Sequence, residues 1–181
     1  MACSVEGPPT DNYSMRRLIA APLALLLLGG FSATTPAGAR YGTASHVDAR
    51  ISSGYSGWQT ASAFDGNVAV VKRSVEPGKA AAYEIRAHGT GPNVPNPIVR
   101  GCDSAPRFDV HYMVIRKVRP DLNITAAVET GYWEQRYASR REWRIHIRLT
   151  IRVDPGVKSG ASFWCPASVN WALLRAVTIA A

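Results

Sequence analysis

Apolar and polar residues alternate with a period of two along much of the chain from residue 67 onward. The clearest stretch is 143–153, WRIHIRLTIRV. Here Trp143, Ile145, Ile147, Leu149, Ile151 and Val153 alternate with Arg144, His146, Arg148, Thr150 and Arg152. Successive side chains of a strand point to opposite faces, so this pattern predicts a strand with one face in a core and the other in water. Residues 80–88 alternate likewise, Ala81, Tyr83, Ile85 and Ala87 against Glu84, Arg86 and His88. So do 107–115, Phe108, Val110, Tyr112 and Val114 against Arg107, Asp109, His111 and Met113. The Val-rich run 67–75, together with 98–102, 163–167 and 173–179, reads as further short strands, and 122–128 as a short apolar stretch ending before Gly131.

Turn chemistry separates these segments. In Glu76-Pro77-Gly78-Lys79 the proline is set for φ near −65° and the glycine is free to take positive φ, which predicts that 67–75 and 80–88 are two strands joined by a short loop. Residues 89–97, GTGPNVPNP, hold three prolines and two glycines and exclude regular structure. Asp154-Pro155-Gly156 ends the Arg-bearing strand. Asn123-Ile124-Thr125 fits a glycosylation sequon, but the expected role is a turn in which the Asn side chain bonds the backbone. Nothing after residue 40 reads as a long amphipathic helix. Many short strands with Pro/Gly turns between them predict an all-β domain, a sandwich or a barrel.

The N-terminal stretch has a different pattern. Met15-Arg16-Arg17 is a positive segment, Leu18 to Leu28 is continuously apolar, Gly29-Gly30 breaks the run, and Ala37-Gly38-Ala39 offers a small-residue cleavage site before Arg40. The apolar run is shorter than the ~20 residues that span a bilayer. The expectation is a leader and secretory signal peptide at 1–39, with Met15 the more natural start, and one domain at 40–181 with no membrane span after processing. The expected location is secreted or otherwise extracytoplasmic.

Export changes the meaning of the cysteines. Cys3 leaves with the leader, and Cys102 and Cys165 remain. In an oxidising compartment two cysteines are most simply one disulfide, and a bridge between sheets suits a sandwich. Free or metal-bound thiols are the alternative, but neither Cys has a Cys or His neighbour at zinc-ligand spacing, so no metal or cofactor is expected. Residues 40–181 carry 19 Lys and Arg (21 less Arg16 and Arg17) against 11 Asp and Glu (13 less Glu6 and Asp11), a net charge of +8. That balance permits partners such as nucleic acid, teichoic acid or anionic lipid without requiring any of them.

The cations concentrate near the long strand. Arg144, Arg148 and Arg152 fall on its polar face about 13 Å apart, and Arg136, Arg140 and Arg141 precede it. Guanidinium groups bind phosphate and carboxylate in bidentate fashion, so these six are the candidate anion-binding residues. A solvated strand face that blunts edge pairing would look the same. Five tryptophans offer stacking surfaces: Trp143 falls in core phase, and Trp164 should point away from Cys165 and stand exposed. His46, His88, His111 and His146 are scattered, no Ser sits in a G-x-S-x-G elbow, and no Asp-rich loop suggests calcium, so no catalytic residue is assigned and no enzyme is expected.

Several motifs, in order, resemble a known group. Residues 75–86, VEPGKAAAYEIR, are similar to the A-P-G-x-x-x-x-Y-x-V-R opening of secreted bacterial Ig/fibronectin-like repeats common in actinobacteria. Val99-Arg100-Gly101-Cys102 followed by Phe108-Asp109-Val110-His111-Tyr112, then residues 123–131, NITAAVETG, and Arg175-Ala176-Val177 resemble later motifs of the same repeats, and Asp48-Ala49-Arg50-Ile51 resembles the first strand. The resemblance covers about 48–180, one repeat. It implies an Ig-like antiparallel β-sandwich bridged between the strands of Cys102 and Cys165. It also implies a binding or structural module, with a cell-wall polymer or another surface protein as partner and no catalytic activity. The sequence departs from those repeats at 136–141, in the Arg content of the long strand, and in standing alone rather than in an array. These departures single out Arg136–Arg152 and raise the alternative of a secreted polyanion-binding protein. A small secreted enzyme or inhibitor is the remaining alternative.

Overall fold

The computed structural model describes residues 45–54, 56–63, 66–138 and 141–181; the leader and its cleavage site lie outside the described residues, as does Arg140. The elements are β1 (His46–Ser52), β2 (Gln59–Ser62), β3 (Val68–Val75), β4 (Ala80–Thr90), β5 (Ile98–Arg100), β6 (Phe108–Val114), β7 (Leu122–Asn123), α1 (Thr125–Glu129), β8 (Trp133–Glu134), β9 (Glu142–Val153), β10 (Ser162–Val169) and β11 (Ala172–Ala180). They form a six-stranded sheet, β2-β1-β4-β9-β6-β7, and a five-stranded sheet, β3-β11-β10-β5-β8. All pairs are antiparallel except β3 with β11.

The two-residue period builds the core. Along β9 the inward set Trp143, Ile145, Ile147, Leu149, Ile151 and Val153 is buried, while Arg144, Arg148 and Arg152 are exposed and His146 and Thr150 are half-buried. β4 and β6 bury the expected faces too. Inward residues of both sheets share one hydrophobic cluster. Two tyrosines of the six-stranded sheet tie it to the other sheet. The Tyr83 hydroxyl donates to the Val177 carbonyl (2.8 Å) and lies 2.9 Å from Thr178 Oγ1. The Tyr112 hydroxyl accepts from the Cys102 amide (3.0 Å) and lies 3.2 Å from Cys165 Sγ. Burial pushes both phenol pKa values above the ordinary 10.0.

Cys102 and Cys165 are bonded, their Cα atoms 5.2 Å apart. The expected bridge between sheets is corrected here: Cys102 stands two residues beyond β5, which pairs with Cys165's own strand β10 in the five-stranded sheet. Tyr112, rather than the disulfide, carries the link to the opposite sheet at this point. It also explains the glycine of Val-Arg-Gly-Cys: a Cβ on Gly101 would collide with the Tyr112 hydroxyl and ring and with Val128.

Two other expectations are corrected. β3 and β4 are not hairpin partners, because β3 lies along β11 and β4 lies between β1 and β9. The 76–79 turn gives its backbone groups to β9 instead: the Gly78 amide donates to the Val153 carbonyl and the Val153 amide to the Lys79 carbonyl, both at 2.9 Å. The turn thus carries the chain from one sheet to the other. The apolar stretch 122–128 is divided between β7 and the single turn of α1. At that junction the Asn123 side chain accepts from the Thr125 amide (3.0 Å), the backbone role expected of it.

Candidate functional site

The outer face of the six-stranded sheet collects the polar residues of β1, β4, β9 and β6, and the strand register sets their neighbours. Arg50 lies opposite Arg86, and Arg86 opposite His146. Asp48 lies opposite His88, and His88 opposite Arg144. Ser52 lies opposite Glu84, and Glu84 opposite Arg148, whose other neighbour is Met113. Arg152 lies opposite Asp109.

Carboxylates therefore interrupt the row of cations. Glu142 Oε1 holds Arg144 at 3.0 Å and His88 at 3.1 Å. Glu84 Oε2 lies 3.2 Å from His146 and 3.4 Å from Arg86. His111 meets Asp109, and His46 meets Asp48, each at 2.8 Å. Hydrogen bonds from His88 and Arg144, together with the charge of Arg144, hold the Glu142 carboxyl below its usual range. Arg148 and Arg152 have no carboxylate within 4.0 Å among the described residues and project freely from the middle and far end of β9. Arg136 is exposed in the segment after β8. Arg141 is exposed just before β9, and its carbonyl accepts from the Gly91 amide (3.0 Å). The candidate set thus falls into separate groups, with Arg144 at one end of the strand, Arg148 and Arg152 beyond it, and Arg136 and Arg141 in the approach to β9.

At the Arg144 end the face deepens into a groove of about 950 Å³. Its floor crosses β1, β4 and β9, and residues 115–117 after β6 form a wall. The lining bears Arg50, Arg86, Arg116, Lys117 and Arg144 against one carboxylate, Asp48, with His88 and His146 between them. A smaller recess of about 370 Å³ continues past the wall; it shares Arg116, Lys117 and Arg144 and adds Arg119 and Tyr137. The Tyr137 hydroxyl donates to the Arg144 carbonyl at 3.0 Å, which fixes this corner of the groove. Beside the floor lies Trp58, in the segment between β1 and β2. The guanidinium carbons of Arg50 and Arg86 sit 4.7 and 4.8 Å from the centre of its ring.

Sequence reasoning singled out Arg144 of this group and missed Arg50, Arg86, Arg116 and Lys117. Their sole sequence signal is polar phase on β1 and β4 and position at the end of β6. Assembly depends on register, which no single segment reveals. The other tryptophans are spread out. Trp143 is core, its Nε1 donating to the Pro95 carbonyl (2.7 Å), and Trp164 is 55% exposed on the outer face of the other sheet, stacked by Arg175 at 5.2 Å. Trp171 is 73% exposed at the β10–β11 turn. Among the described residues no group of three or more His, Cys, Asp or Glu is placed to hold a metal ion.

No family model matches the chain. No curated protein matches it. Among solved structures, one similar chain is a family 123 glycoside hydrolase from Clostridium perfringens, described for glycolipid glycan hydrolysis, at a TM-score of 0.43 and 10% identity. The match covers 75% of this chain and 27% of that one, so this chain spans about a quarter of the hydrolase, and a likeness of this degree assigns no activity.

Proposed function

We propose that this chain is an exported, non-catalytic module of the Ig/fibronectin-like type that binds an anionic polymer at the cell surface. The observation that carries the reading is the groove on the six-stranded sheet, a concave surface lined by five Arg and Lys side chains, of which Arg86 and Arg144 also meet Glu84 and Glu142 at its margin. Cations lining a concavity focus potential and attract polyanions, and Arg adds bidentate geometry for phosphate. The Cys102–Cys165 disulfide supports an oxidising compartment, and the leader pattern at 15–39 supports export. The motif order from 48 to 180 supports the repeat type.

The test is binding to an anionic polymer, polyphosphate for instance, titrated at several salt concentrations. Release of condensed counterions makes log K fall linearly with log salt, with a slope that counts the neutralised charges. The expected result is a steep slope that becomes shallower by about one to three charges in an Arg50/Arg86/Arg144→Ala variant with an unchanged melting temperature. Weak binding with a flat slope, unaltered in that variant, would make the face a solvated sheet surface and nothing more.

A further inference from the structure

Trp58 separates this groove from a simple patch of charge. The residue is 36% exposed, and both Arg50 and Arg86, neighbours across β1 and β4, hold their guanidinium groups over its ring. A guanidinium held over a ring by cation–π attraction still has N–H donors free to bond an anion. An aromatic surface is therefore fixed beside two phosphate-binding forks, and Arg144, Arg116 and Lys117 continue the positive track along the groove. One Arg86 donor is already engaged by Glu84 at 3.4 Å, a long contact that leaves the rest of its fork available.

Resting on the anionic-polymer reading, we infer that the groove takes a single-stranded nucleic acid, one base stacking on Trp58 while the adjoining phosphates meet Arg50 and Arg86. Three properties of the site favour this ligand. It couples a flat ring to phosphate at one place, which is the repeating unit of a nucleic acid strand; a glycerol or ribitol phosphate polymer has no flat ring to offer. The two guanidinium groups draw on the same π-cloud that a sugar C–H would contact, which weakens sugar stacking, whereas base stacking rests on area and dispersion. Bases can reach a surface ring only when unpaired, which selects single strands over duplex.

The experiment compares fluorescently labelled oligodeoxythymidine, an abasic phosphodiester strand of equal length, and heparin, each titrated by anisotropy against the protein and its Trp58→Ala, Trp58→Phe and Arg86→Ala variants. Trp58→Ala should weaken oligodeoxythymidine binding on the order of tenfold, leave the abasic strand unchanged, and be largely rescued by Trp58→Phe. Arg86→Ala should weaken both strands. Melting curves confirm that each variant is folded. Equal effects of Trp58→Ala on the base-bearing and abasic strands would overturn the inference while leaving the anionic-polymer reading intact. Tighter binding of heparin with Trp58 dependence would overturn it in favour of a sulfated glycan. Salt-independent or absent binding of all three probes would overturn both readings.

Discussion

Ile147 and Arg148 are consecutive on β9 and face opposite ways, so replacing each by Ala tests the face assignment directly. Ile147 is fully buried at the centre of the six-stranded sheet, with Ile85 opposite on β4 and Val114 opposite on β6. Ile147→Ala removes three carbons. At ~0.8 kcal/mol per buried carbon the transfer loss alone is about 2.4 kcal/mol. The cavity adds to this, because strands hydrogen-bonded on both sides collapse little, which places the expected cost in the ~2–5 kcal/mol range of core truncations. For a domain of this size that lowers the melting temperature by on the order of 10 °C. Arg148 is exposed, with no carboxylate within 4.0 Å among the described residues, so Arg148→Ala should stay within about 0.5 kcal/mol. Urea and thermal unfolding followed by circular dichroism measure both. A stability loss for Arg148→Ala equal to that for Ile147→Ala would refute the assignment of inner and outer faces.

Three further outcomes follow from the geometry. Replacing Cys102 and Cys165 by Ala should cost about 4 kcal/mol by the chain-entropy account of a loop of 63 residues, read as a fall in the urea midpoint; an unchanged midpoint would mean that the bridge constrains nothing. Gly101→Ala should destabilise by roughly 1–3 kcal/mol through its collision with the Tyr112 hydroxyl and ring, read as a fall in the urea midpoint; an unchanged midpoint would count against the close approach. Burial raises Tyr83 and Tyr112 above 10.0, so the fold holds these protons more tightly than the unfolded chain does: the stabilisation is complete below about pH 10 and declines as pH climbs through the folded values. Melting temperatures taken up to strongly alkaline pH should show that decline, shallower in Tyr112→Phe, and a flat profile would count against it.

Alternation made the faces of β4, β6 and β9 legible, because burial of a strand is written in the parity of its own residues. Trp143 inward and Trp164 outward follow from the same rule. Partner choice is not written that way. Val68 to Val75 has the same parity whether it pairs with β4 or with β11; in the fold it lies along β11, while Val153 takes the backbone groups of the 76–79 turn. The groove was opaque for the same reason. Arg50, Arg86 and Arg144 lie far apart along the chain and meet only through the register of three strands, and Trp58 joins them from a segment with no periodicity at all. The Glu84 and Glu142 pairings, which break the expected row of cations, likewise depend on cross-strand neighbours.

The parallel pairing of β3 with β11 bears on the order in which the molecule is made. β3 is an edge strand whose hydrogen-bonded neighbour within its sheet is β11, the last strand described, and the Ala181 amide closes the pair on the Val75 carbonyl at 2.9 Å. A chain that emerges N-terminus first can assemble β1, β4, β6 and β9 while β3 waits. Its partner arrives about a hundred residues later, so this closure is a contact of high sequence separation and forms slowly. Until then the inward face of β3, with Ala69 and Val71, has no sheet to join. Completion of the five-stranded sheet is thereby deferred until β11 has been made, and until then β3 is an unpaired apolar edge open to wrong partners.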